Sequence, residues 1–121
     1  MKDEITAAVL LGIMIVFFTF TVNTLDDKTG RTIERIDRVR KHTQLTSEDI
    51  ESIKKIWQKD KKPLLYFTTH TGIHAVDGYI EAAEKCFSVG KSELAYVNLN
   101  QAKHSLEELV QREKIRLDNI F

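Results

Sequence analysis

Three residues in this chain have the types and spacing that could hold a metal ion or move a proton. They are His70, His74 and Asp77, in the stretch HTGIHAVD. On a helix, positions i, i+4 and i+7 line one face, and two imidazoles with a carboxylate are ligand types that zinc accepts. The zincin pattern needs a glutamate directly after the first histidine to act as base, but Thr71 stands there. A structural zinc needs four ligands, and spacing alone does not bring Glu81, Cys86 or His104 to the same point. The expectation is therefore a non-catalytic, solvated or hydrogen-bonded histidine pair with no metal and no cofactor. Metal binding or hydrolysis through His70, His74 and Asp77 is the alternative. No glycine-rich phosphate loop, no G-x-S-x-G elbow and no adjacent Cys–His pair occurs, and Glu107–Glu108 lies on an ordinary helix face. These patterns do not point to an enzyme.

The elements that must position these residues read as helices. After Pro63, the residues Tyr66, Thr69, Ile73, Val76, Ile80, Ala83 and Phe87 step alternately by three and four, a heptad-like seam. His70 and Asp77 flank that seam, and His74 turns further away. Gly90 in SVGKSE suits a helix end and Ser92 a start. Ala95, Leu99, Ala102, Leu106 and Leu109 then repeat the alternating step, which predicts an antiparallel hairpin. Upstream, LTSEDI carries a capping signal, with Thr46 as cap, Asp49 at N3, and Leu45 and Ile50 placed for a hydrophobic staple. The helix it opens presents Ile50, Ile53, Ile56 and Trp57. Trp57 is expected in the core with its indole N–H near the surface, and partner docking is its alternative role. Ile36, Val39, Leu45, Ile50 and Ile53 also match Ile80, Ala83, Val89, Leu94 and Val97 at one constant offset. That echo suggests two helix–turn–helix units stacked as a bundle.

Length and charge bound the rest. The 121 residues allow one domain. Formal net charge is zero, and Lys54, Lys55, Lys59, Lys61 and Lys62 lack interleaved aromatics, so no nucleic-acid partner is expected. A lone cysteine, Cys86, excludes an internal disulfide and any CxxC motif. Residues 5–22, ITAAVLLGIMIVFFTFTV, hold no charge, and as a helix they rise about 27 Å, close to the hydrocarbon thickness of a bilayer. TFTVNTLDD offers no A-x-A-like cleavage site, so an uncleaved, single-pass signal-anchor is expected. Beyond it, Ile33, Ile36 and Val39 mark an amphipathic juxtamembrane helix. Its stripe of Arg31, Arg35 and Arg38 is either a collar for anionic lipid headgroups or a solvated face paired with Glu34 and Asp37. Counting Lys and Arg alone, the positive-inside rule favours a cytoplasmic C-terminal domain.

The apolar N-terminal anchor, IWQKDKK around Trp57, YFTTH with Phe67 and His70, and the ending LDNIF are shared features. Through them the chain resembles an uncharacterised Firmicute family of small membrane-anchored helical proteins, domain of unknown function four-three-six-three. The terminal Asn119-Ile120-Phe121 is the most specific of them. Where that family tends to carry an acidic residue this chain has His74, a departure that argues against a family-wide site using both histidines. The resemblance implies fold and membrane attachment without any activity, and it implies an N-in anchor with the domain outside, which opposes the charge count. Leaving Phe121 in water would forfeit roughly 1.5–3 kcal/mol, so the tail should fold back on the bundle, with docking of Ile120 and Phe121 into a partner as the sharper alternative. The expectation is an all-α chain in three parts: a tail and transmembrane anchor over 1–23, a juxtamembrane amphipathic helix over 24–45, and an antiparallel bundle over 46–121. Its expected role is that of a non-enzymatic accessory or scaffold protein in a bacterial cell membrane, with a membrane or envelope protein as partner. Anionic-lipid binding through the arginine stripe is a further alternative.

Overall fold

The computed structural model describes residues 1–121 apart from Phe67, Thr69 and Phe121, and for Leu117 and Ile120 the backbone alone. Four helices follow in order: α1 (Lys2–Arg40), α2 (Ser47–Leu64), α3 (His70–Ser88) and α4 (Ser92–Ile120). No strand occurs among the described residues. At 39 residues, α1 is about 58 Å long, and it crosses the expected boundary near residue 23 without a break. Its apolar half is long and apolar enough to span a membrane. Threonine hydroxyls within it bond back to the preceding turn, Thr6 to the Lys2 carbonyl at 2.8 Å and Thr21 to that of Phe17 at 2.9 Å. Such bonds lower the cost of a hydroxyl away from water.

Cross-helix polar contacts set the directions. Lys28 and Arg31 of α1 reach Asp60 of α2, Lys54 of α2 reaches Glu84 of α3, and Asn98 of α4 meets Cys86 of α3. Lys103 and Lys114 of α4 pair with Asp37 and Asp26 of α1, at 2.7 and 2.9 Å. As α4 advances, its partner on α1 recedes by the same number of residues, so the two run antiparallel. Each helix packs on its chain neighbours and α4 closes onto α1, while among the described residues the diagonal pairs stay apart. The result is an up-down-up-down bundle built from two helical hairpins.

Each helix buries a seam with heptad-like spacing. From α1 come Leu25, Ile36 and Val39, from α2 Ile50, Ile53, Trp57 and Leu64, from α3 Ile73, Val76, Ile80 and Ala83, and from α4 Ala95, Leu99, Ala102, Leu106 and Leu109. The α2 start is the capping box the sequence announces. Thr46 Oγ1 accepts from the Asp49 N–H, and the Asp49 carboxylate accepts from the Thr46 N–H. Leu45 and Ile50 are both buried beside it.

Two expectations are corrected. Pro63 sits in the last turn of α2, and the chain turns after Leu64. Losing one bond to the Lys59 carbonyl is tolerated there, because the helix ends within two residues. Tyr66 therefore lies outside α3 and is 87% exposed, so the seam of α3 begins at Ile73; Thr69 is outside the described residues. The apolar echo also fails in its second half, where Val89, Leu94 and Val97 are all exposed. The α3–α4 turn is tight. Gly90 takes a left-handed conformation (φ 80°), and the N–H groups of Gly90 and Lys91 bond to the carbonyls of Phe87 and Cys86, a glycine-closed helix end. The α1–α2 connection is longer and tucks Leu45 inside. The two hairpins thus share topology without sharing which residues face inward.

Candidate functional site

A chemically mixed concavity near the sequence-selected residues lies between α2 and α3, the least extensively packed neighbours in the bundle. It encloses about 370 Å³, lined by residues that include Lys54, Trp57, Lys61, Asp77 and Glu84. Trp57 is fully buried at its base. Its indole N–H donates to Asp77 Oδ1 at 2.5 Å, and Lys61 Nζ donates to both Asp77 oxygens at 3.4 Å. At the rim Lys54 pairs with Glu84 at 3.0 Å, and that carboxylate raises the lysine's pKa. A buried aromatic N–H needs an acceptor, and Asp77 supplies it from the neighbouring helix. Asp77 is thus a latch between α2 and α3.

That latch separates the three residues the spacing had joined. His70 and His74 are exposed with ring centroids 6.4 Å apart, whereas Asp77 is committed to Trp57 and Lys61. Among the described residues no three His, Cys, Asp or Glu side chains come together in a metal-holding group. Cys86 is half-buried and accepts from Asn98 Nδ2 at 3.6 Å. Trp57, the partner-docking candidate, presents no surface to solvent. Ile120 and Phe121, the tail candidates, fall outside the described side chains. Along the arginine stripe, Arg31 pairs with Asp27 and Asp60, Arg38 pairs with Glu34 one turn away, and Arg35 is half-buried.

A second polar feature escaped the reading of spacing. Asp60 is 1% exposed, and neither of its oxygens receives a hydrogen bond among the described residues. Arg31 stands 3.6 Å and Lys28 3.9 Å from Oδ1. Burial raises the Asp60 pKa, and the two cations offset only part of that. The signal was present: Ile50, Ile53, Trp57, Asp60 and Leu64 step by three and four, so Asp60 occupies a seam position. Glu113 does the same in α4, four residues after Leu109, and it too is buried. With Thr29 and Thr32 of α1, also buried, polar side chains from three helices enter the core in its half nearer the apolar run. Buried polar groups cost stability and are retained in some proteins because they select one packing arrangement.

A long apolar surface lies elsewhere, on α1 itself. Val9, Ile13, Val16, Phe17 and Phe20 line an open strip with almost no polar area, and the whole stretch from Ile5 to Phe17 is exposed. Monomeric soluble proteins rarely expose so large a contiguous patch. No curated protein and no solved structure matches the chain. One family model does, over residues 16–120, from the last third of the apolar run through the end of α4. The chain belongs to the family described as domain of unknown function DUF4363.

Proposed function

We propose that this chain is a non-enzymatic accessory or scaffold protein, anchored in a bacterial membrane by residues 5–22 and presenting its bundle to a membrane or envelope protein. One observation carries the reading. The same unbroken helix is exposed and apolar through Phe17, with Ile13 60% exposed, and becomes a bundle wall at Thr21, which is 3% exposed. The core helix of a soluble protein would bury its apolar run, and here lipid is the medium that can cover it. A cleaved leader would cut α1 where it enters the bundle, just before Leu25, a fully buried core residue. The scaffold role draws support from the charged bundle surface and from side chains tied up in structural contacts, such as Asp77.

The reading puts the bundle on the extracytoplasmic side, as the family likeness implies and against the count of Lys and Arg near the anchor. Protease added to right-side-out vesicles should then digest the bundle and spare the anchor; a protected bundle reverses the orientation. The partner is tested by crosslinking in intact membranes followed by mass spectrometry. A reproducible membrane or envelope protein is expected, crosslinked through bundle residues. Recovery of abundant bystanders alone would remove the scaffold reading.

A further inference from the structure

The ion pairs between helices also fix heights along α1, and so locate one end of the bundle against the apolar run. Asp60 stands level with Lys28 and Arg31. Leu64, four residues further along α2, lies about 6 Å nearer the apolar half, level with Leu25. Leu65 and Tyr66, which follow directly, are placed by the same rise at about the height of Asn23. On the opposite wall Lys114 meets Asp26, and α4 continues toward Thr21 for one and a half further turns. Thr21 is itself buried, although it belongs to the apolar run over residues 5–22. The bundle therefore has no stalk. Its floor begins where the apolar run ends, within the headgroup layer of about 5–8 Å that flanks the hydrocarbon on each side.

The exposed residues near that floor suit the layer. Tyr66 is 87% exposed, Leu65 is exposed beside it in the chain, Ile115 is exposed at a similar height on α4, and Lys62 is exposed on the last turn of α2. Aromatic rings with a polar tip concentrate at this depth, and lysine can lay its stem on apolar surface while its ammonium meets lipid phosphates. The opposite end carries a different turn, Val89–Lys91, about 33 Å away along α4. We propose that Leu65 and Tyr66 at the end of α2, with Lys62 of α2 and Ile115 of α4 exposed at the same end of the bundle, dock onto the headgroup layer of the membrane that holds α1. The bundle is then held against the bilayer at two places and does not swing on a single helix. This rests on the anchor reading of α1, and the surface is separate from the arginine stripe.

The test uses the full chain with Cys86→Ser, so that single cysteines can carry a nitroxide label, in vesicles of phosphatidylethanolamine and phosphatidylglycerol. Labels at Ile13→Cys, Tyr66→Cys and Val89→Cys are compared for collisions with membrane-partitioning oxygen and with a water-soluble nickel chelate. All three positions are exposed, so the substitutions leave the packing intact. The label at 13 should meet oxygen and not nickel, and the label at 89 should meet nickel freely. The label at 66 should show nickel access several-fold below that at 89. Equal nickel access at 66 and 89, with 13 still shielded, would overturn the docking while leaving the anchor in place. Free nickel access at 13 would overturn both.

Discussion

Replacing Asp77 by alanine removes the acceptor for the Trp57 indole N–H and leaves that donor in a fully buried site. An unsatisfied buried donor costs about 1–3 kcal/mol. Lys61 loses its partner too, but its side chain is 23% exposed and regains water, so it adds little. An expected loss of about 2 kcal/mol corresponds to a fall in melting temperature of roughly 10 °C for a bundle of this size. Asp77→Asn keeps an oxygen at the same place and should cost under about 1 kcal/mol. Trp57→Phe removes the donor instead, so in Trp57→Phe/Asp77→Ala the two losses overlap. The double variant should be more stable than additivity predicts by at least about 1 kcal/mol. Thermal and denaturant unfolding of the full chain in mild detergent, followed by circular dichroism, measures the parent and all four variants. Additive single effects, or an Asp77→Ala variant as stable as the parent, would refute the latch between α2 and α3.

Asp60→Asn should stabilise the bundle near neutral pH, because the raised pKa of Asp60 reports a carboxylate that the fold prefers protonated. The folded state binds that proton more tightly than the unfolded chain, so Asp60's contribution to stability is greatest below its unfolded pKa and is lost as pH rises through the folded one. The advantage of Asn should accordingly shrink toward pH 3.8, the ordinary aspartate value, and paired unfolding curves at neutral and acid pH check it. Asp49 has the opposite sign. Burial works against its ionised form, but the hydrogen bonds from Thr46 and His42 outweigh burial and lower its pKa. Its stabilising effect is present above the ordinary value and lost as pH falls through the folded pKa. Thr46→Ala, which removes the other half of the capping box, should cost about 1 kcal/mol by denaturant titration. Gly90→Ala should cost about 1–2 kcal/mol because φ is +80° there, and an unchanged midpoint would show that the turn relaxes.

Helix periodicity made most of the bundle legible. Ile50, Ile53 and Trp57, the seam over Ile73–Ala83 and that over Ala95–Leu109 are buried as read, while Ile56 is only half-buried, and the Thr46 signal marks the start of α2. Periodicity was misleading where a turn set the phase. Tyr66 continues the spacing of α3 but belongs to a turn, and Val89, Leu94 and Val97 copy an apolar pattern whose register the tight Gly90 turn rotates away. Polarity was misleading at Asp60 and Glu113, whose seam positions place them inside despite their charge. The histidine face shows the same limit from the other side. Shared spacing put Asp77 with His70 and His74, but the partner that claims Asp77 lies on another helix, twenty residues earlier in the chain.

The account depends most on α1 being a retained span that becomes a bundle wall. Membrane fractionation of cells carrying the full chain, followed by an alkaline carbonate wash and mass analysis, measures this directly. The protein should stay in the pellet with residues 5–22 still attached. Its recovery from the aqueous fraction, trimmed of that run, would contradict the account.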